Sequence, residues 1–144
     1  MGKIHTGRVI LGGLLAGLVM NVSEAFLHAV VLAKDGAKLL DDWRQRGLEL
    51  DVGPSLLVWL IGVTFVLGLL AVWTYAAIRP RFGAGPKTAL CAGLAVWAMS
   101  YLYAGVYLHA GIVVVPPKLT WLPVAWGLVE IPAATLLGAW IYRE

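Results

Sequence analysis

Four long apolar runs, Val9 to Ala33, Val52 to Ile78, Thr88 to Val115 and Trp121 to Tyr142, dominate the chain. Each is near or above the roughly 20 residues that span a bilayer. The pattern predicts an all-α fold: a transmembrane four-helix bundle forming a single integral membrane domain over residues 1–144, with spans at about 9–33, 52–78, 88–115 and 121–142. The first run is too long for the apolar core of a signal peptide and carries Asn21 and Glu24 within it, so it is expected to be retained as a helix. Between the first two runs the period changes. Leu39, Leu40, Trp43, Gly47 and Leu50 cover about 100° of a helical wheel while Lys38, Asp41 and Gln45 face elsewhere. This predicts a short amphipathic helix over about 36–50, lying on the outer interface with a tryptophan at its centre.

Polar positions inside the spans are few. In the first, Gly13, Gly17, Asn21, Glu24 and His28 fall within an arc of about 80°, a stripe that is small at its inner half and polar at its outer half. Small residues four apart permit close helix contact, so the stripe is expected to face the bundle interior. Counting about 1.5 Å per residue places Glu24 and Glu130 roughly 13 Å below the outer helix ends, and His28 and His109 roughly 8 to 9 Å deep. Gly105 and Ala98 share the face of His109. FLHAVVL in the first span and YLHAGIV in the third echo one another at an offset of 81 residues, aligning His28 with His109 as a two-hairpin duplication would.

Composition agrees with the pattern: 60% hydrophobic residues, 13% charged residues and a mean hydropathy of +0.83 lie outside the soluble range. The net charge of +3 comes from bases scattered through loops, with no basic stripe interleaved with aromatics, so nucleic acid is not an expected partner. Lys3, Arg8, Arg79, Arg81, Lys87 and Arg143 fall on one side and Lys34, Lys38, Arg44, Arg46 and Lys118 on the other. The dense cluster in the short second loop favours both termini in the cytoplasm. A lone cysteine, Cys91, forms no intramolecular disulfide and is expected to pack. Trp121 with Pro116, Pro117 and Pro123 marks an outer turn, and Trp73, Tyr75, Trp140 and Tyr142 an inner aromatic belt.

The second loop, RPRFGAGPKTA, stops one helix and starts the next. Its glycines match neither a Walker loop nor a dinucleotide fingerprint, but Arg79, Arg81 and Lys87 are candidates for contact with an anionic lipid head group or phosphate. With WTYAAI before it and the GGLLAGLVMNVSEA opening, the loop resembles a family of small, uncharacterised bacterial four-helix membrane proteins along most of the chain. The resemblance implies a multi-pass protein of the bacterial cytoplasmic membrane and carries no mechanism with it.

The candidate chemistry rests on Glu24, His28, His109 and Glu130. An ionisable group in hydrocarbon costs at least a few kcal/mol, so its retention points to a polar cavity, a partner or an ion. Carboxylate and imidazole are ligands for a divalent metal such as zinc, iron or manganese, and Glu24 and His28 share a helical face at i, i+4. Two histidines at matching depth can instead clamp a haem, though nothing marks a haem pocket. Mid-depth carboxylates also serve proton or cation pathways, with Pro132 freeing the carbonyl of Leu128 beside Glu130. The bland alternative is polar glue, with Glu24 bonded to Asn21, Ser23 or a facing tyrosine such as Tyr101. No HExxH, GxSxG or credible nucleophile and base pair occurs, and Ser100, Tyr101, Tyr103 and Tyr107 suit packing or a small hydrophobic ligand equally. The expectation is a membrane protein that binds or conducts a cation or proton, with an accessory or assembly subunit, homo-oligomeric or part of a larger complex, as the alternative.

Overall fold

Three of the four long helices begin on a proline, whose fixed φ and missing N–H suit the first helical turn. The computed structural model describes residues 4–48, 53–111 and 115–142. Its elements are α1 (Thr6–Phe26), a π-helical turn (Leu27–Val31), α2 (Ala33–Gln45), α3 (Pro54–Phe82), α4 (Pro86–Trp97), a second π-helical turn (Ala98–Leu102), α5 (Tyr103–Gly111) and α6 (Pro117–Ile141). Four continuous helices, Thr6–Val31, Pro54–Phe82, Pro86–Gly111 and Pro117–Ile141, are long and apolar enough to cross a membrane. The fold is the expected all-α four-span bundle, with α2 as the short amphipathic helix between the first two spans.

The first span packs on α3 and α6, and α4 packs on the same two helices, so successive spans are neighbours around the bundle. Half of the apolar window of α6 is buried, against 17% for α3. Helix α6 is therefore the inner element and α3 the outer one. The outward surface carries Leu57, Val58, Trp59 and Val63 in one stretch, with Trp59 74% exposed. Such a patch is untenable in water and ordinary against acyl chains.

Glycines set the helix spacing. A Cβ at Gly68 would lie 2.6 Å from the carbonyl oxygen of Gly13 and 2.7 Å from Cα of Gly17, so α1 and α3 cross backbone on backbone. On the neighbouring side Gly12 and Gly138 meet in the same way, holding α1 to α6. The buried face of the first span is centred on Ala16, Met20 and Leu27. The predicted small and polar stripe runs along its edge: Gly13 and Gly17 are buried, Asn21 and Glu24 half-buried, and His28 exposed.

Several boundaries differ from the expected ones. Helix α3 runs through Pro80 to Phe82, because a proline in the last turn removes only one N–H. The connection shrinks to Gly83, Ala84 and Gly85, with both glycines at positive φ, and the Thr88 hydroxyl donates to the Gly83 carbonyl at 2.8 Å. Helix α2 ends at Gln45 and not at 50. Gly47, at φ 74°, terminates it: the N–H of Gly47 bonds to the Arg44 carbonyl and that of Leu48 to Trp43. These are the two bonds of a Schellman motif, so Gly47 is a cap and not part of the amphipathic face. Leu39, Leu40 and Trp43 make up that face, half-buried, while Leu50 and the predicted start of the second span at Val52 lie outside the described residues. Cys91 is exposed on α4. The inner aromatic belt divides, with Trp73 and Trp140 outward and Tyr75 and Tyr142 buried edge to face. The two LHA segments also differ in structure, since His28 lies in a π-turn and His109 in α-helix.

Candidate functional site

Glu24 sits one turn before the π-helical segment of the first span, where Leu32 N–H bonds to the Leu27 carbonyl five residues back. On the adjoining turn His28 Nε2 lies 3.1 Å from Glu24 Oε2. The hydroxyl of Tyr101, from the third span, donates to Glu24 Oε1. Both partners of Glu24 thus come from π-helical turns, a rare local geometry that is frequent at functional sites. Each inserted residue shifts the following helix by about 100° relative to an unbroken α-helix. In the third span this accompanies a split among its tyrosines: Tyr101 turns inward, while Tyr103 and Tyr107 stack on each other on the outer surface.

Tyr101 reaches Glu24 across a gap left by Gly127. A Cβ at residue 127 would lie 2.7 Å from the Tyr101 ring. Gly127→Ala and Tyr101→Phe should therefore each lower thermal stability, Tyr101→Phe by about 1 kcal/mol for the lost bond. Their combination should be clearly less than additive in a double-mutant cycle, because both remove the same contact. Full additivity would show that the ring position does not depend on Gly127.

Glu130 is different. It is 6% exposed, in the buried stripe of α6 with Gly127, Ile131 and Ala134, and neither carboxylate oxygen has a hydrogen-bond donor among the described residues. Glu24 and His28 are charged groups within electrostatic reach of it, and Ser23 and Trp126 are the side-chain donors beside it, neither in hydrogen-bond geometry to its oxygens. Those two are bound to each other, since Trp126 Nε1–H donates to Ser23 Oγ at 2.8 Å. Phe26 stacks on the same indole at 6.2 Å between centroids, closing the seam between the first span and α6. Side chains from Ser23, Leu122, Ala125, Trp126, Val129 and Glu130 line a cavity of about 390 Å³ on this seam.

The remaining predicted residues fall elsewhere. Asn21 gives its amide to the carbonyls of Gly17, at 2.8 Å, and Ile61, at 3.5 Å, so it ties α1 to α3 and does not support Glu24. His109, near the end of α5, lies against Trp121 in the first turns of α6, with ring centroids 5.4 Å apart. The four-residue metal set Glu24, His28, His109 and Glu130 is therefore not assembled: among the described residues no three His, Cys, Asp or Glu side chains are grouped to hold a metal ion. A carboxylate with one imidazole falls short of the three or four ligands that zinc takes from a protein, and the same separation denies a haem its paired histidines. Arg79 turns inward, with its guanidinium 5.6 Å over the Tyr142 ring, and lines a cavity of about 440 Å³ with Tyr75, Pro86 and Trp140. Arg81 and Lys87 are exposed beside it.

Sequence reasoning singles out Glu24, His28 and Tyr101 and offers Ser23 to Glu24, but passes over Trp126, whose indole N–H is what Ser23 accepts. The available signal was an indole N–H near the depth of Glu130, which in hydrocarbon must find an acceptor. Comparison with family models, with curated proteins and with solved structures finds no match for this chain.

Proposed function

We propose that this integral membrane protein takes up a proton or a cation at an intramembrane site formed by Glu130 and the neighbouring Glu24, Tyr101 and His28 group. The observation that carries the reading is Glu130: buried, within electrostatic reach of Glu24, and with neither oxygen in a hydrogen bond of ordinary geometry among the described residues. An ionised carboxylate in that position costs several kcal/mol unless a positive charge or a proton compensates it. Glu24 has its compensation built in, from the Tyr101 hydroxyl and the His28 ring. His28 is 61% exposed at its side chain and Glu24 18%, so in this reading the pair is the side from which a proton or cation reaches Glu130. The arrangement supports exchange of a proton or cation between an open pair and a closed carboxylate.

Infrared difference spectra of the purified protein, recorded on changing pH and on adding cations, test this. The carbonyl stretch of a protonated carboxylic acid should respond in the wild type and be lost in Glu130→Gln. Identical spectra for the two would overturn the reading.

A second reading has its own observations. Tyr101 to Glu24, Trp126 to Ser23, and Trp97 Nε1–H to the Val124 carbonyl at 2.9 Å each join different spans. These are the bonds expected of helix glue in an accessory or assembly subunit. That reading accounts for Glu24 and leaves Glu130 unexplained.

A further inference from the structure

We propose that the cavity between the first span and α6 binds a lipophilic organic cation, a substituted ammonium bearing alkyl or aryl groups, with Glu130 as its counter-charge. The proposal rests on the uptake function assigned to Glu130 and names the class of cation. The cavity, about 390 Å³, has the size of a small-molecule site, typically about 300–1,000 Å³. Its lining sets Glu130 and Ser23 among the apolar walls of Leu122, Ala125, Val129 and the Trp126 side chain.

That composition discriminates among cations. A small inorganic ion gives up a hydration shell only for several oxygen ligands, about 6–8 in the case of calcium. Here Ser23 Oγ is already engaged by Trp126, and Glu130 alone cannot replace such a shell. An organic ammonium carries a diffuse, weakly hydrated charge and buries its carbon substituents against the walls, where the indole attracts it as a cation–π partner. Neither oxygen of Glu130 accepts a bond from the described residues, and both are shielded from solvent, so the carboxylate acts on the cation as an unneutralised counter-charge from behind the cavity wall.

Access follows from the same residues. Ala125 and Val129 are exposed, Val129 by 72%, so the mouth lies on the outer surface of the bundle, facing acyl chains. Amphiphilic cations concentrate in that phase. Three other cavities of similar size have different chemistry: one is walled by Arg79, of the wrong sign, and two, one lined by Val63, Leu67 and Ala104 and one by Val9, Leu69 and Trp73, have no charged group.

Equilibrium dialysis of the full chain in an uncharged detergent, with labelled benzyltrimethylammonium, tests the assignment. Its uncharged carbon isostere neopentylbenzene and sodium chloride serve as competitors. Saturable binding is expected that neither competitor displaces, weakened about tenfold or more by Glu130→Gln, as removal of a buried charge partner requires. Val129→Trp, which fills the mouth without touching the carboxylate, should also abolish binding while leaving the infrared response of Glu130 intact. A Glu130 that titrates in the infrared in a protein that does not bind benzyltrimethylammonium overturns the organic-cation assignment and leaves the proton reading standing. Loss of both signals sinks both. Equal uptake of neopentylbenzene by the wild type and Glu130→Gln would show a merely greasy cavity and overturn the proposal.

Discussion

Gly68→Val should lower the stability of the protein sharply, by forcing α1 and α3 apart. A side chain at residue 68 would meet the carbonyl oxygen of Gly13 at 2.6 Å and Cα of Gly17 at 2.7 Å, and neither atom can rotate away. The reciprocal contacts are equally rigid, since a Cβ at Gly13 would lie 2.7 Å from Leu69 Cα and one at Gly17 2.9 Å from Phe65 Cα. Relief therefore requires the two helices to separate along their whole crossing. Overpacking of this kind costs about 1–3 kcal/mol and occasionally more. At roughly 2–4 °C per kcal/mol for a chain of this length, a fall in Tm of about 5–10 °C is expected in detergent. Gly62→Ala, on the same helix with open space around it, is the control. It should be neutral or slightly stabilising, because alanine is the better helix former. Equal effects of the two substitutions would mean that α1 and α3 do not cross at Gly68.

The second large effect is a difference in sign between the two carboxylates. Glu130→Met replaces a buried group without a partner among the described residues by an apolar side chain of similar length, which should raise stability by about 1–3 kcal/mol, the cost of an unsatisfied buried group. Glu24→Met removes the acceptor of the Tyr101 hydroxyl and the partner of His28, and should lower stability by a similar amount. Thermal unfolding followed by intrinsic fluorescence measures both. A site retained at the expense of stability is the usual mark of function, whereas residues kept as helix glue destabilise when removed. A stability loss in Glu130→Met as large as that in Glu24→Met would favour the glue reading and count against uptake at Glu130.

The Lys118–Asp35 pair, at 2.6 Å, joins α2 to the start of α6, but its side chains are 60% and 38% exposed. Breaking it with Lys118→Ala should change stability by less than about 1 kcal/mol, checked in the same melts.

Much of this molecule is decided locally. Hydropathy is a sum over neighbouring residues, so the four spans could be counted from composition along the chain. Pro54, Pro86 and Pro117 open their helices through a constraint on their own φ, and Glu24 faces His28 because four residues make about one turn. The amphipathic period of α2 depends likewise on nothing outside itself.

What the tertiary structure decided is which polar group meets which. A wheel assumes an unbroken α-helix, and the π-turns at Leu27–Val31 and Ala98–Leu102 reset that phase for the residues that follow in the first and third spans. Equal depth likewise did not bring His109 to His28, because depth fixes one coordinate and leaves rotation about the helix axis free. Glu24 and Glu130 look alike in sequence, each a single acid in an apolar span. One acquired a tyrosine from across the bundle, through the space Gly127 leaves open, and the other was buried with no donor among the described residues. That difference arises only when four helices pack, since hydrocarbon supplies no partner and each polar group must take what the neighbouring helix presents.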